Sequence, residues 1–113
     1  MSQTTDVPEI TPTELKARLD AGDLPVLVDV REAFERTIAD LPAVGQVNLP
    51  TGEFAQRMGE LDTGSEIVVY CRSGSRSEWA VRLLMESGYA QVLNLRGGVL
   101  AWRQEVDPTL QAY

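Results

Sequence analysis

Glu66-Ile67-Val68-Val69-Tyr70-Cys71-Arg72-Ser73-Gly74-Ser75-Arg76-Ser77 passes abruptly from a β-branched run to small, polar and basic residues. The apolar run does not alternate, which suits a strand buried on both faces of a parallel sheet. From about Ser75 to Ser87 the pattern turns helical, with Ala80/Leu84 and Val81/Met85 as i,i+4 pairs and Gly88 as the C-cap. On either side of this unit the same alternation continues. Upstream, Val26–Val30 reads as a strand, and Thr11-Pro12-Thr13-Glu14 is a capping box that starts a helix carrying Leu15 and Leu19 and ending near Gly22. Between the two strands, Glu32–Ile38 reads as a short helix closed by Pro42, and Gln46–Leu49 as a short strand. Thr51 then caps a helix to about Met58, and Asp62–Ser65 forms a turn. Downstream, Gln91–Leu95 is a strand, Gly97-Gly98 breaks the chain, Val99 to about Val106 is a last helix, and residues 107–113 are a tail. The sum is an α/β class: a small, mostly parallel sheet flanked by helices on both faces, in three layers.

The 113 residues fit a single domain over 1–113, with its core at about 8–106 and no linker or repeat. Composition excludes several function classes. A net charge of −7 makes nucleic acid and anionic membrane poor partners. With no histidine, Ser-His-Asp triads, Cys-His dyads and His-ligated zinc are impossible. With one cysteine, no disulfide forms within the chain and no metal or other cofactor is expected. The first ten residues lack the basic and apolar regions of a signal peptide, and no apolar run approaches the roughly 18 residues of a membrane span, so a cytoplasmic protein is expected.

Ligands of open α/β sheets bind beyond the carboxyl ends of the strands, where Cys71 stands. A short loop of small residues there turns successive N–H groups toward one point, an anion-binding nest. Gly74 supplies the backbone freedom, Ser73, Ser75 and Ser77 add hydroxyls, and Arg72 and Arg76 add permanent charge. Such surroundings favour a thiolate. A helix terminus contributes only about 0.3–1 kcal/mol, so amides and arginines must supply most of the stabilisation. The charge distribution agrees: residues 1–70 carry a net −8, residues 71–103 a net +3 and residues 104–113 a net −2. An acidic chain thus keeps a positive field around its one thiol, as an anionic substrate requires. A lone cysteine at a strand end is commonly a small buried hydrophobe, but Arg-Ser-Gly-Ser-Arg is poor core composition and favours the functional reading. Arg82 and Arg103 read as solvated.

The segment Tyr70–Ser77 resembles the active-site loop of single-domain rhodanese sulfurtransferases, and the likeness covers nearly the whole chain. Val28-Asp29-Val30-Arg31-Glu32 resembles the family's Asp-Val-Arg strand end, with Glu35 in the following acidic position. Asn48-Leu49-Pro50, Gly88-Tyr89 and Leu95-Arg96-Gly97-Gly98-Val99-Leu100-Ala101-Trp102 resemble its Asn-Ile-Pro, Gly-Tyr and Gly-Gly-x-x-x-Trp segments. The family's Gly-His-Ile-Pro-Gly-Ala is replaced by Ala39-Asp40-Leu41-Pro42-Ala43-Val44, so any role of that histidine does not carry over.

The resemblance implies a rhodanese-like fold and a Cys71 persulfide formed from a small anionic sulfur donor such as thiosulfate. Arg72 and Arg76 would hold the donor, and Ser73, Gly74, Ser75 and Ser77 would line the loop. Asp29 and Arg31 would be a supporting charged pair, Trp102 and Tyr89 core residues. Residues 101–110 with Tyr113 look like the end of rhodanese modules fused to E1-like enzymes. That implies a ubiquitin-like sulfur-carrier protein as acceptor, with cyanide as its in-vitro substitute and a cysteine desulfurase as a further donor. Alternatives stand beside sulfur transfer, among them a pseudo-enzyme used as a binding domain, which the retention of Cys71 with Arg72 and Arg76 argues against; two more remain. One is a non-enzymatic persulfide-carrying or redox-sensing docking module. The other is a cysteine phosphatase or arsenate reductase, disfavoured because four residues rather than five separate Cys71 from Arg76.

Overall fold

The structure is a computed structural model that describes residues 7–113; the N-terminal reading of residues 1–6 lies outside them. Five parallel strands form one sheet in the order β1-β5-β4-β2-β3, from β1 (Glu9–Ile10), β2 (Val26–Asp29), β3 (Val47–Asn48), β4 (Ile67–Tyr70) and β5 (Val92–Leu95). The helices are α1 (Pro12–Asp20), α2 (Thr51–Arg57), α3 (Ser75–Glu86) and α4 (Gly98–Glu105), with 3-10 turns at Ala33–Thr37 and Met58–Glu60. The three-layer α/β architecture is as the sequence predicts, and the sheet is wholly parallel.

The β4 run explains the layering. Its alternate residues feed opposite cores: Ile67 and Val69 pack with Phe54, Ala80, Val81 and Leu84 of α2 and α3. Val68 and Tyr70 pack with Leu15 of α1 and with Val99 and Trp102 of α4. All four strand residues are buried, so both faces need apolar side chains and the alternation disappears. The Thr11–Glu14 capping box forms as expected, each partner accepting the other's main-chain N–H.

Three expectations are corrected. Thr51 is the first residue of α2 rather than its cap; Pro50 holds the cap position, with extended backbone and no side-chain cap. Arg103 is not simply solvated, because its Nε donates to the Leu110 carbonyl at 2.7 Å. Ser87 rather than Gly88 holds the C-cap of α3, with Gly88 following at φ +93°; the expected tail, residues 107–113, packs through Leu110 and Tyr113 against the α1/α4 core. The sequence reading also missed β1. Two residues are too few for a period, and Glu9 and Ile10 are strand only through pairing with Asn94 and Leu95.

Candidate active site

Cys71 directly follows β4, and α3 begins four residues later at Ser75. Its side chain is buried and its thiol free. Gly74, at φ +108°, turns the chain so that its N–H points at Sγ with N···Sγ 3.0 Å. The Ser77 N–H reaches Sγ at 3.4 Å, and the Ser77 hydroxyl also lies 3.4 Å away. The sulfur therefore sits at the N-terminus of a 12-residue helix, within reach of its amides, where negative charge is favoured. The loop's outward side is fixed as well: the Cys71 and Arg72 carbonyls accept the Val99 and Leu100 N–H groups at 2.9 and 3.0 Å. Thus the first turn of α4 binds the loop's acceptors while its donors face the sulfur.

Asn94 completes this frame and was missed by sequence reasoning. Buried on β5, it donates from Nδ2 to the Gly74 carbonyl at 3.2 Å and accepts the Ser77 hydroxyl on Oδ1 at 2.5 Å. The available signal was a lone amide within the otherwise apolar Val92-Leu93-Asn94-Leu95, a position that demands polar partners.

The two loop arginines have separate fates. Arg76 forms a two-pronged ion pair with Glu35 at 2.8 and 2.9 Å. The other flank of Arg76 borders a surface groove of about 340 Å³, lined also by Thr51, Gly52 and Trp79. Arg72 donates from Nε and Nη2 to the Tyr113 main-chain carbonyl and lies over the Tyr113 ring, 5.2 Å from its centroid. Ser73 and Ser75 are exposed, whereas Gly74 and Ser77 are buried beside the sulfur.

Asp29 and Arg31 form a buried pair, with bonds of 2.9 Å from Nε to Oδ1 and from Nη2 to Oδ2. Burial opposes the Arg31 charge, but its bonds to Asp29 and Tyr113 override this and hold the guanidinium as a cation. Arg31 also donates to the Ala39 carbonyl at 2.9 Å and to Asp40 at 3.0 Å, and Tyr70 donates to Asp40 at 2.7 Å. Asp40 therefore has a structural role here, anchoring Arg31 and Tyr70 beneath the site. Trp102 and Tyr89 are core residues as expected.

Glu35 links this support to the loop. The Arg76 hydrogen bonds, aided by the Glu32 and Tyr113 contacts and against the cost of burial, lower its pKa from 4.5 to about 2. A lowered folded-state pKa favours the ionised form, so the stabilisation is fully present above pH 4.5 and is lost as pH falls through about 2. Urea unfolding should show Glu35→Gln less stable than the parent at pH 7, by on the order of 3 kcal/mol. That gap should narrow as pH is lowered toward 2; a constant gap would refute the assignment.

The sequence pattern of the Rhodanese-like domain matches residues 11–105. The chain belongs to the rhodanese-like domain family. A "Sulfurtransferase" of Allochromatium vinosum is 42% identical over 102 residues, 90% of this chain and 94% of that protein. "Adenylyltransferase and sulfurtransferase MOCS3-2" of Zea mays is 36% identical across 92% of this chain, which spans only 23% of that protein. Among solved structures, a rhodanese-related protein from Thermoplasma volcanium superposes with a TM-score of 0.77 at 26% identity, covering 88% of this chain and 93% of that one. Within this rhodanese-like domain, the Gly74 and Ser77 amides converge on the Cys71 sulfur, and Gly98 packs against the Cys71 and Arg72 main chain. Among the described residues, no group of three or more His, Cys, Asp or Glu could hold a metal, and no helix is long and apolar enough to cross a membrane.

Proposed function

We propose that this rhodanese-like domain is a sulfurtransferase that carries sulfane sulfur as a persulfide on Cys71. Family membership and sulfurtransferase-named relatives support sulfur transfer in general. The observation that carries the residue assignment is the buried Sγ facing the Gly74 and Ser77 amides at the start of α3. These amides are donors suited to a negative sulfur, and no histidine is present to act as its base.

With thiosulfate as donor, the Cys71 thiolate attacks the outer sulfur, an Sγ–S bond forms, and the S–S bond of thiosulfate breaks. Sulfite leaves with the electron pair, and the negative charge rests on the terminal sulfur of the persulfide. A nucleophilic acceptor then attacks that sulfur and returns the thiolate; with cyanide the product is thiocyanate. This is covalent, two-stage catalysis. The amides of Gly74 and Ser77, with Ser73 and Ser75 on the loop, would accommodate the negative sulfur, and Arg72 and Arg76 would attract the donor. Asp29 and Arg31 support the strand end from which the loop departs. The proposed physiological acceptor is the C-terminus of a ubiquitin-like sulfur carrier, supported by the likeness to a module of an adenylyltransferase-sulfurtransferase. A persulfidated cysteine desulfurase is the alternative donor.

Intact-protein mass spectrometry after thiosulfate treatment tests this proposal. The expected result is a gain of one sulfur atom, lost on adding cyanide with thiocyanate appearing in solution. Sulfur uptake without release to cyanide or to any carrier would favour a persulfide-carrying docking module. No uptake from thiosulfate or from a persulfidated desulfurase would overturn the proposal.

A further inference from the structure

Tyr113 engages the surroundings of both loop arginines. Its main-chain carbonyl accepts from Nε and Nη2 of Arg72, and its ring lies under that guanidinium. Its hydroxyl accepts from Nη1 of Arg31 at 2.7 Å and donates to Oε1 of Glu35 at 3.1 Å. Glu35 in turn holds Arg76 with both oxygens. The segment leading to it is also secured: Thr109 and Leu110 N–H groups close a turn on Asp107, and Arg103 holds the Leu110 carbonyl. Tyr113 is thus anchored through its hydroxyl, its ring and its main chain.

The edge of a guanidinium that presents Nε and one Nη is the edge that clamps an oxyanion with two parallel hydrogen bonds. On Arg72 that edge is filled by the Tyr113 main-chain oxygen. A small anion reaching Arg72 must displace it, together with the ring contact and the two hydroxyl bonds that keep Tyr113 in place. From these contacts we infer that Tyr113 is a specificity-determining residue, which masks Arg72 from small anions approaching the Cys71 loop. The mask is selective by charge. A doubly charged oxyanion competes for the guanidinium better than a singly charged one, and an uncharged molecule gains nothing by displacing the Tyr113 oxygen. The inference deepens the sulfur-transfer reading and rests on it for the nature of the anion, but its test does not depend on sulfur transfer.

Alkylation of Cys71 by iodoacetate, an anion, and by iodoacetamide, its neutral counterpart, separates anion recognition from the reactivity of the thiol. The ratio of their second-order rate constants is the readout. Tyr113→Ala leaves the net charge at pH 7 unchanged and removes the ring and hydroxyl anchors; a chain ending at residue 112 removes the carbonyl as well. Both should raise the iodoacetate-to-iodoacetamide ratio about 3- to 10-fold, the scale of exposing one partly solvated cation to an anion. In an Arg72→Gln background the same changes should leave the ratio flat, because the masked cation is gone. An unchanged ratio in both Tyr113 variants overturns the inference, and so does an equal rise when Arg72 is already replaced. Failure of the parent chain to take up sulfur would count against the sulfur-transfer reading alone, since the alkylation ratio is read without it.

Discussion

Cys71→Ser should take up no sulfur from any donor and should reduce thiosulfate:cyanide turnover to the uncatalysed background, a loss of at least about 10³-fold. The substitution is nearly isosteric and leaves a hydroxyl within reach of the Gly74 and Ser77 amides. Those donors stay satisfied, so the thermal unfolding midpoint should move by only a few degrees, corresponding to about 1 kcal/mol. What disappears is the nucleophile: a serine hydroxyl is not ionised near neutral pH, and without histidine the chain has no imidazole to activate it. Cys71 is the sole cysteine, so sulfur detected on the serine variant by mass would place the chemistry elsewhere and sink the persulfide proposal.

The second large effect belongs to a residue with no reactive group. Gly98→Ala should destabilise the domain by about 2–5 kcal/mol, combining overpacking with the cost of a left-handed backbone for an L-residue. Gly98 has φ +61°, and a Cβ there would collide with the Cys71 carbonyl oxygen and lie 2.6 Å from the Arg72 carbonyl carbon and oxygen. These are main-chain atoms bound to the Val99 and Leu100 amides, so relief requires moving the loop that holds Sγ. At temperatures where the variant remains folded, sulfur uptake should still fall well below the parent. Gly59→Ala, where an added Cβ meets nothing within 4 Å, is the matched control and should change stability by less than about 0.5 kcal/mol. A Gly98→Ala chain as stable as that control would refute the close packing of α4 on the loop.

Much of the fold is legible in the sequence because its signals are local. The Thr11–Glu14 box, the unbroken apolar run into Tyr70 and the glycines flanking the helices each act through neighbours in the chain. The glycine pair at 97–98 was legible as a break, but its deeper purpose was not, since the atoms it must clear belong to residues 71 and 72. The same limit hid Asn94, whose partners lie 17 and 20 positions away in sequence. Tyr113 was visible as a matching final residue, yet its contacts with Arg31, Glu35 and Arg72 arise only when the chain folds back over the sheet. Residue chemistry located the sulfur; the framework that immobilises it is built from pairings that no local pattern encodes.

One consequence follows from the opposed hydrogen bonding of the Cys71 loop, donors inward to Sγ and acceptors outward to α4. Because none of the outward bonds involves the sulfur, a sulfur atom can be gained or lost without breaking any of them. The loop is therefore a fixed socket, and adaptation to a different donor or acceptor falls on side chains around its rim. Evolution can then exchange Arg72, Trp79 or Tyr113 for other residues and redirect the traffic while leaving the carrier itself intact.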